Sequence, residues 1–214
     1  KNMGTEIVQM AVDFAIRHNV PSILVLDAFF PTGAAFKLAC SVWSVDIKQP
    51  YVTLLIRAKK NCVAYLEPEP SAKNGPGRPR KYGEKVKIME LFDYDYFFSK
   101  AICRVYGRTE EILMASFDLL WKPFGGKIRF ILAVTSRGPL VLMSSDLDLN
   151  PVSAIELYCL RYRIEIMFDM LKNLLGVFSY RFWSKKMPAN SRTPKKNKNL
   201  KLPADQDIRT VKNC

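Results

Sequence analysis

Apolar residues recur at helical spacing over residues 5–18, where Ile7, Val8, Met10, Ala11, Phe14 and Ala15 fit one amphipathic helix that Asn19-Val20-Pro21 ends. Residues 22–26 (Ser-Ile-Leu-Val-Leu) change the pattern to a continuous apolar run without polar alternation. A strand covered on both faces reads that way. Asp27 closes it, at the end where buried strands commonly deliver functional side chains. A second helix is predicted over residues 34–45. A second buried strand is predicted over 51–56, running into Arg57, Lys59 and Lys60.

From residue 61 to about 137 the pattern shortens. β-like runs at 62–66, 86–92, 102–106, 112–120 and 128–134 are separated by Gly, Pro and charged turns, and residues 71–83 form a loop. Residues 140–143 are another apolar strand, leading to Ser144-Ser145-Asp146. Asn150-Pro151 then opens a long helix predicted over 152–175, with Gly176 as its stop. Beyond Phe182-Trp183 the chain turns basic, with no acidic residue before Asp205. The reading is an α/β core over 1–60 and 138–183, a β-rich insertion over 61–137, and a basic tail over 184–214.

Composition narrows the chemistry. No run of about 18 uncharged apolar residues is present, which excludes a membrane-spanning helix. The five cysteines contain no C-x-x-C pair and suit a reducing compartment. The single histidine, His18, removes most hydrolases built on a histidine base and nearly every zinc site. A metal would have to sit on carboxylates, which favours Mg²⁺ or Mn²⁺. Thirty-three Lys and Arg against twenty Asp and Glu leave +13, which argues for a polyanionic partner, nucleic acid first.

The long helix carries the sharpest pattern. At about 100° per residue, Tyr158, Arg161, Glu165 and Lys172 fall within a stripe about 60° wide, beside the apolar Ile155, Leu160, Ile164, Met167, Leu171 and Leu174. Spacing alone favours a solvated face with an Arg161–Glu165 pair. The order of residue types is more telling. Tyr158-x2-Arg161-x3-Glu165-x6-Lys172 resembles the signature of a large group of bacterial insertion-sequence transposases of the DDE type. The blocks at residues 25–30, 56–61, 144–147 and 180–185 also resemble that group, so the likeness spans roughly residues 23–187.

That resemblance implies a ribonuclease-H-like core in which two aspartates and a glutamate hold two divalent ions for in-line displacement at phosphorus. It implies Glu165 as the helix-borne ligand of Mg²⁺ (or Mn²⁺), with Tyr158, Arg161 and Lys172 gripping phosphates. Asp27 fits the second aspartate: helix, strand and insertion follow it before the glutamate helix. Asp146, only 19 positions before Glu165, leaves no room for those elements and reads as an Asx-type turn residue. The first aspartate is then expected upstream of Lys1, so the chain reads as an internal piece of a transposase, weak or inactive alone. The family's partners would be DNA ends and target DNA, held by a homodimer.

Further basic residues are candidates for DNA contact. Arg57 and Lys59 follow the second strand. Asn74-Gly-Pro-Gly-Arg78-Pro-Arg80-Lys81 resembles an AT-hook, although a solvated turn accounts for it equally well. Arg181, Lys185 and Lys186 begin a stretch able to track a DNA backbone. Trp43 and Trp121 are core candidates, while Tyr180, Phe182 and Trp183 could pack or stack on bases. The rival reading is a non-catalytic basic nucleic-acid-binding protein or an inactive transposase remnant, in which Asp27 and Glu165 are ordinary turn and surface residues.

Overall fold

The computed structural model describes residues 3–44, 48–68 and 80–175. They fall in two compact units, Lys1–Asp169 and Met170–Cys214. In the first, helix α1 (Met3–His18) leads to strand β1 (Ser22–Leu26), helix α2 (Gly33–Ser41) and the small hairpin β2 (Trp43–Ser44) and β3 (Gln49–Pro50). Then come β4 (Val52–Arg57), β5 (Val63–Tyr65) and β6 (Lys85–Lys87). Two 3-10 turns follow, Ile88–Asp93 and Asp95–Phe97. The long strands β7 (Ser99–Val105), β8 (Arg108–Trp121), β9 (Gly126–Thr135) and β10 (Gly138–Ser144) precede helices α3 (Pro151–Leu160) and α4 (Tyr162–Asp169).

Eight strands make one mixed sheet in the order β1-β4-β10-β9-β8-β5-β6, with β7 also on β8. β1 and β4 are parallel, Leu26 opposite Ile56, and α2 makes the crossover between them. β4 to β10 and β10 to β9 are antiparallel, so strands of the predicted insertion and of the predicted core share a single sheet. The central strands are apolar on both faces, and their alternation sorts side chains into two cores. Leu54 and Ile56 of β4, Val141 and Met143 of β10, and Phe130 and Leu132 of β9 meet Val8, Val12 and Ala15 of α1 and Phe36 of α2. The intervening Leu55, Leu142 and Ile131 meet Ala154, Ile155, Tyr158 and Cys159 of α3. Helices therefore cover both faces, an α/β arrangement.

Local signals account for the helix starts. Thr32 caps α2, its Oγ1 accepting from the Ala35 amide at 3.3 Å. Asn150 caps α3, its Oδ1 accepting from Val152 N and Ser153 N at 2.9 and 3.2 Å, with Pro151 at the first helical position.

Four expectations need correcting. α2 ends at Ser41 rather than residue 45, because Val42 is extended (φ −114°, ψ 113°) and the chain turns into β2. Trp43 is accordingly 57% exposed, not core, its indole donating to the Cys40 carbonyl; Trp121 does lie in the core. The run at 86–92 is strand only to Lys87 and then a 3-10 turn, whose Ile88 is buried while Met89 and Leu91 pack part-buried against the same core. The helix predicted over 152–175 is not continuous. Arg161 interrupts it with a tighter bond from its amide to the Tyr158 carbonyl. α3 buries four residues against the sheet and α4 buries none, so regular packing stops where the helix breaks. In the second unit, Met170–Leu174 is a π-helical turn.

The entry into α2 is tight. A Cβ on Gly33 would overlap the backbone carbonyl of Pro123, in the β8–β9 turn. Gly33→Ala should therefore cost about 1–3 kcal/mol, since backbone must move to admit one methyl. Urea unfolding checks this: a lower midpoint at unchanged slope is expected, and an unaltered midpoint would show that the approach is slack.

Candidate active site

The parallel pairing of β1 and β4 brings Asp27 and Arg57 to the same end of the sheet, each next to a paired residue, Leu26 and Ile56. Asp27 is half in the main chain's service. Its Oδ1 accepts from the Ala28 amide at 2.7 Å, and its carbonyl accepts from Phe30 N at 3.1 Å. The other carboxylate oxygen, Oδ2, looks toward α3, where Arg161 Nη2 stands 3.8 Å away. The same nitrogen donates to Glu165 Oε1 at 2.7 Å.

One guanidinium thus draws together the acid closing the first strand and the acid on the last helix of this unit. The Asp27 and Glu165 side chains are 47% and 52% exposed, against 26% for Arg161, so the cation is the more enclosed member. At 3.8 Å the Asp27 contact is an ion pair without a hydrogen bond, and the Glu165 contact is a surface i,i+4 pair. Neither carboxylate is locked.

Tyr158 backs the guanidinium. Its ring is buried, and the Arg161 carbon lies 5.8 Å from the ring centre. Burial raises the Tyr158 pKa, the Asp27 charge adds to the rise, and Arg161 and Arg57 oppose it. Burial works to lower the Arg161 pKa, but Tyr158, Asp27 and Glu165 outweigh it and the guanidinium stays charged. Arg161 Nε is shielded without a hydrogen-bond partner, so this side chain is less than fully satisfied where it lies.

The remaining candidates divide. Arg57, half-buried, acts electrostatically on both Tyr158 and Tyr106 and belongs to this cluster. Lys59 instead lines a cavity of about 310 Å³ with Trp121, Lys122 and Met143, and the structure does not bring it to the carboxylates. Arg80 and Lys81 are exposed, Lys81 lying 5.6 Å from the Tyr82 ring centre. Lys172 is exposed on the π-helical turn of the second unit. Arg78, Tyr180, Arg181, Phe182, Trp183, Lys185 and Lys186 lie outside the described residues.

The break at Arg161 also withdraws the single 60° stripe, whose arithmetic assumed one unbroken helix. Tyr158 and Glu165 meet Arg161 from two helices rather than one. Tyr158, with its ring in the core, supports the guanidinium instead of standing free for a phosphate.

Asp146 makes a turn. Its Oδ1 accepts from Asp148 N at 2.8 Å, as the Asx reading expected, near Arg129, which is forked onto Asp118 at 2.8 Å through both nitrogens. Among the described residues no group of three or more His, Cys, Asp or Glu side chains is placed to hold a metal ion. Lys122 and the arginines Arg104, Arg137 and Arg163 were not singled out from the sequence. The Tyr106-Gly107 turn signal was the one local cue to that region.

No known protein family matches the chain, and no curated protein matches it.

The Tyr158 shift has a definite sign. Folded chains hold this phenolic proton after unfolded chains have released it, so the contribution to stability falls as pH climbs past the ordinary phenol value. Spectrophotometric titration of native protein and Tyr158→Phe should show one more late-ionising phenol in the first than in the second, because burial holds Tyr106 up as well. Identical late phases would place Tyr158 in solvent.

Proposed function

We propose that this chain carries part of the catalytic core of a DDE-type DNA transposase, with Asp27 and Glu165 as two of its metal-binding carboxylates. The observation carrying this reading is the convergence of both acids on one cation, Arg161 Nη2, from a strand end and a separate helix. The parallel β1–α2–β4 unit, with Asp27 at its mouth and the glutamate helix beyond, is the arrangement a ribonuclease-H-like core requires. The +13 charge suits DNA as the partner. On this reading the protein works as a homodimer on DNA ends, in the cytoplasm at the nucleoid.

The donor set fits one hard divalent ion. Two partly solvated carboxylates, completed by water and a substrate phosphate, are the usual protein share of a Mg²⁺ or Mn²⁺ site. What such an ion supplies when bound is Lewis-acid polarisation of a phosphodiester. The chain's own residues do the rest. Arg161 neutralises two acids that would otherwise repel each other, and its planar fork can pass to a phosphate when a cation replaces it. Tyr158 keeps the guanidinium on the sheet side, and Arg57 adds positive charge at the strand ends.

Electron paramagnetic resonance of Mn²⁺ tests this without requiring turnover. Asp27→Asn and Glu165→Gln should each weaken Mn²⁺ binding at least about tenfold. Arg161→Gln should strengthen it roughly fivefold, the scale set by losing two surface ion pairs to the competing guanidinium. Adding duplex DNA should tighten Mn²⁺ binding by the native chain. Unchanged binding in Glu165→Gln would overturn the proposal. Duplex binding by a chain that holds no Mn²⁺ would favour the rival, a non-catalytic nucleic-acid-binding protein or inactive remnant, whose support is the guanidinium already neutralising both acids.

A further inference from the structure

The hairpin joining β7 to β8 turns on Tyr106 and Gly107, whose φ angles are 48° and 87°. A two-residue hairpin turn of type I′ has two such left-handed residues. Glycine adopts the conformation freely, but tyrosine does so at a cost, and its surroundings must hold it there. Arg137, in the β9–β10 turn, provides the hold. Its guanidinium carbon lies 4.0 Å from the Tyr106 ring centre and 4.4 Å from that of Tyr162 on α4. The two rings meet edge to face at 5.6 Å, so the three side chains form one stack from three elements.

The stack fixes Arg137 without neutralising it. None of the ion pairs among the described residues involves Arg104, Arg108, Arg137 or Arg163, and all four are exposed. Beside the stack is a cavity of about 300 Å³, with Arg104 and Arg163 on its wall and Cys159, Leu160 and Ile166 among its apolar lining. Two carboxylates share the neighbourhood and both serve the main chain. Glu156, also lining the cavity, accepts from Arg104 N at 2.9 Å, and Glu110 accepts from Ser136 N at 3.2 Å. Positive charge is left in excess around a concave site.

We propose that this arginine–tyrosine cleft, formed by the β7–β8 turn, the end of α3 and the start of α4, with Arg137 stacked beside it on Tyr106 and Tyr162, is a binding site for the sugar-phosphate backbone of a nucleic acid. It is a separate contact from the Asp27–Glu165 pair, and it rests on the preceding reading only for the class of partner. Phosphates take the guanidiniums, of which Arg137's is restrained by two rings rather than swinging on a free stem. Sugars take the apolar lining between them. A membrane surface is the poorer partner, because it asks for cations around a broad convex apolar face, whereas here they border a cleft.

Fluorescence anisotropy of a labelled duplex of arbitrary sequence, in EDTA and over a range of salt, separates the possibilities. Arg137→Gln/Arg163→Gln should lose about tenfold in affinity. Its plot of log affinity against log salt should be shallower by about two, one for each phosphate contact removed. Arg137→Lys/Arg163→Lys, which preserves charge but not the planar stack, should restore most of the slope and only part of the affinity. Unfolding midpoints measured alongside identify any variant that has lost its fold, and the lysine variant then carries the comparison. A native slope in the glutamine variant would overturn this inference alone. A native chain that binds anionic phospholipid vesicles but no duplex would overturn both it and the choice of DNA as partner.

Discussion

The fold is organised by strands that no solvent can touch on either side. β4, β10 and β9 present apolar residues at successive positions, so each face of the sheet centre must be covered by something else. Leu54 and Ile56 call for α1 and α2, and Leu55 between them calls for α3. Burial of fully enclosed side chains, each favoured by roughly 1.5–3 kcal/mol, is what holds the helices in place. Every charged group at the strand ends inherits its position from that packing. Asp27 and Arg57 share an edge because β1 and β4 are parallel and in register, and Tyr158 faces them because α3 packs on that side.

Charge then settles what packing leaves open. Two carboxylates brought near each other at a sheet edge repel unless a cation lies between them. Arg161 fills that need from the point where regular helix gives out, with one nitrogen serving both acids and Nε unsatisfied. Both contacts are partly exposed, the two carboxylates more so than the guanidinium. The arginines beyond it are handled differently. Arg137 is held by two aromatic faces rather than by carboxylates, and so keeps its full charge for a partner.

Much of this was legible along the chain, for identifiable reasons. The run at 51–56 reads as a doubly covered strand because it lacks polar alternation, and β4 is one; the run at 22–26 reads the same way, yet β1 is the sheet's edge strand, with Ile23 exposed and only Leu26 buried. Asn150-Pro151 marked a helix start through capping chemistry that needs no tertiary partner. Residue order and resemblance singled out Asp27 and Glu165, and both acids lie against Arg161. The failures share a cause as well. The second helix was predicted to run through residue 45, yet Trp43 and Ser44 pair as β2, and Trp43 goes outside. The apolar residues at 88–92 pack from a 3-10 turn, which alternation cannot distinguish from a strand.

What the sequence by itself determined was local and compositional. It set which segments are too apolar to face water, where helices begin, that positive charge dominates, and that an acid closes the first strand. The tertiary structure alone decided that β8, β9 and β10 extend the same sheet as β1 and β4, that the last helix breaks at Arg161, and that Arg137 is clasped by Tyr106 and Tyr162. These outcomes depend on pairings between residues far apart in the chain. Periodicity reports only which face a residue prefers to bury, whereas the partner on that face is chosen by the whole packed molecule.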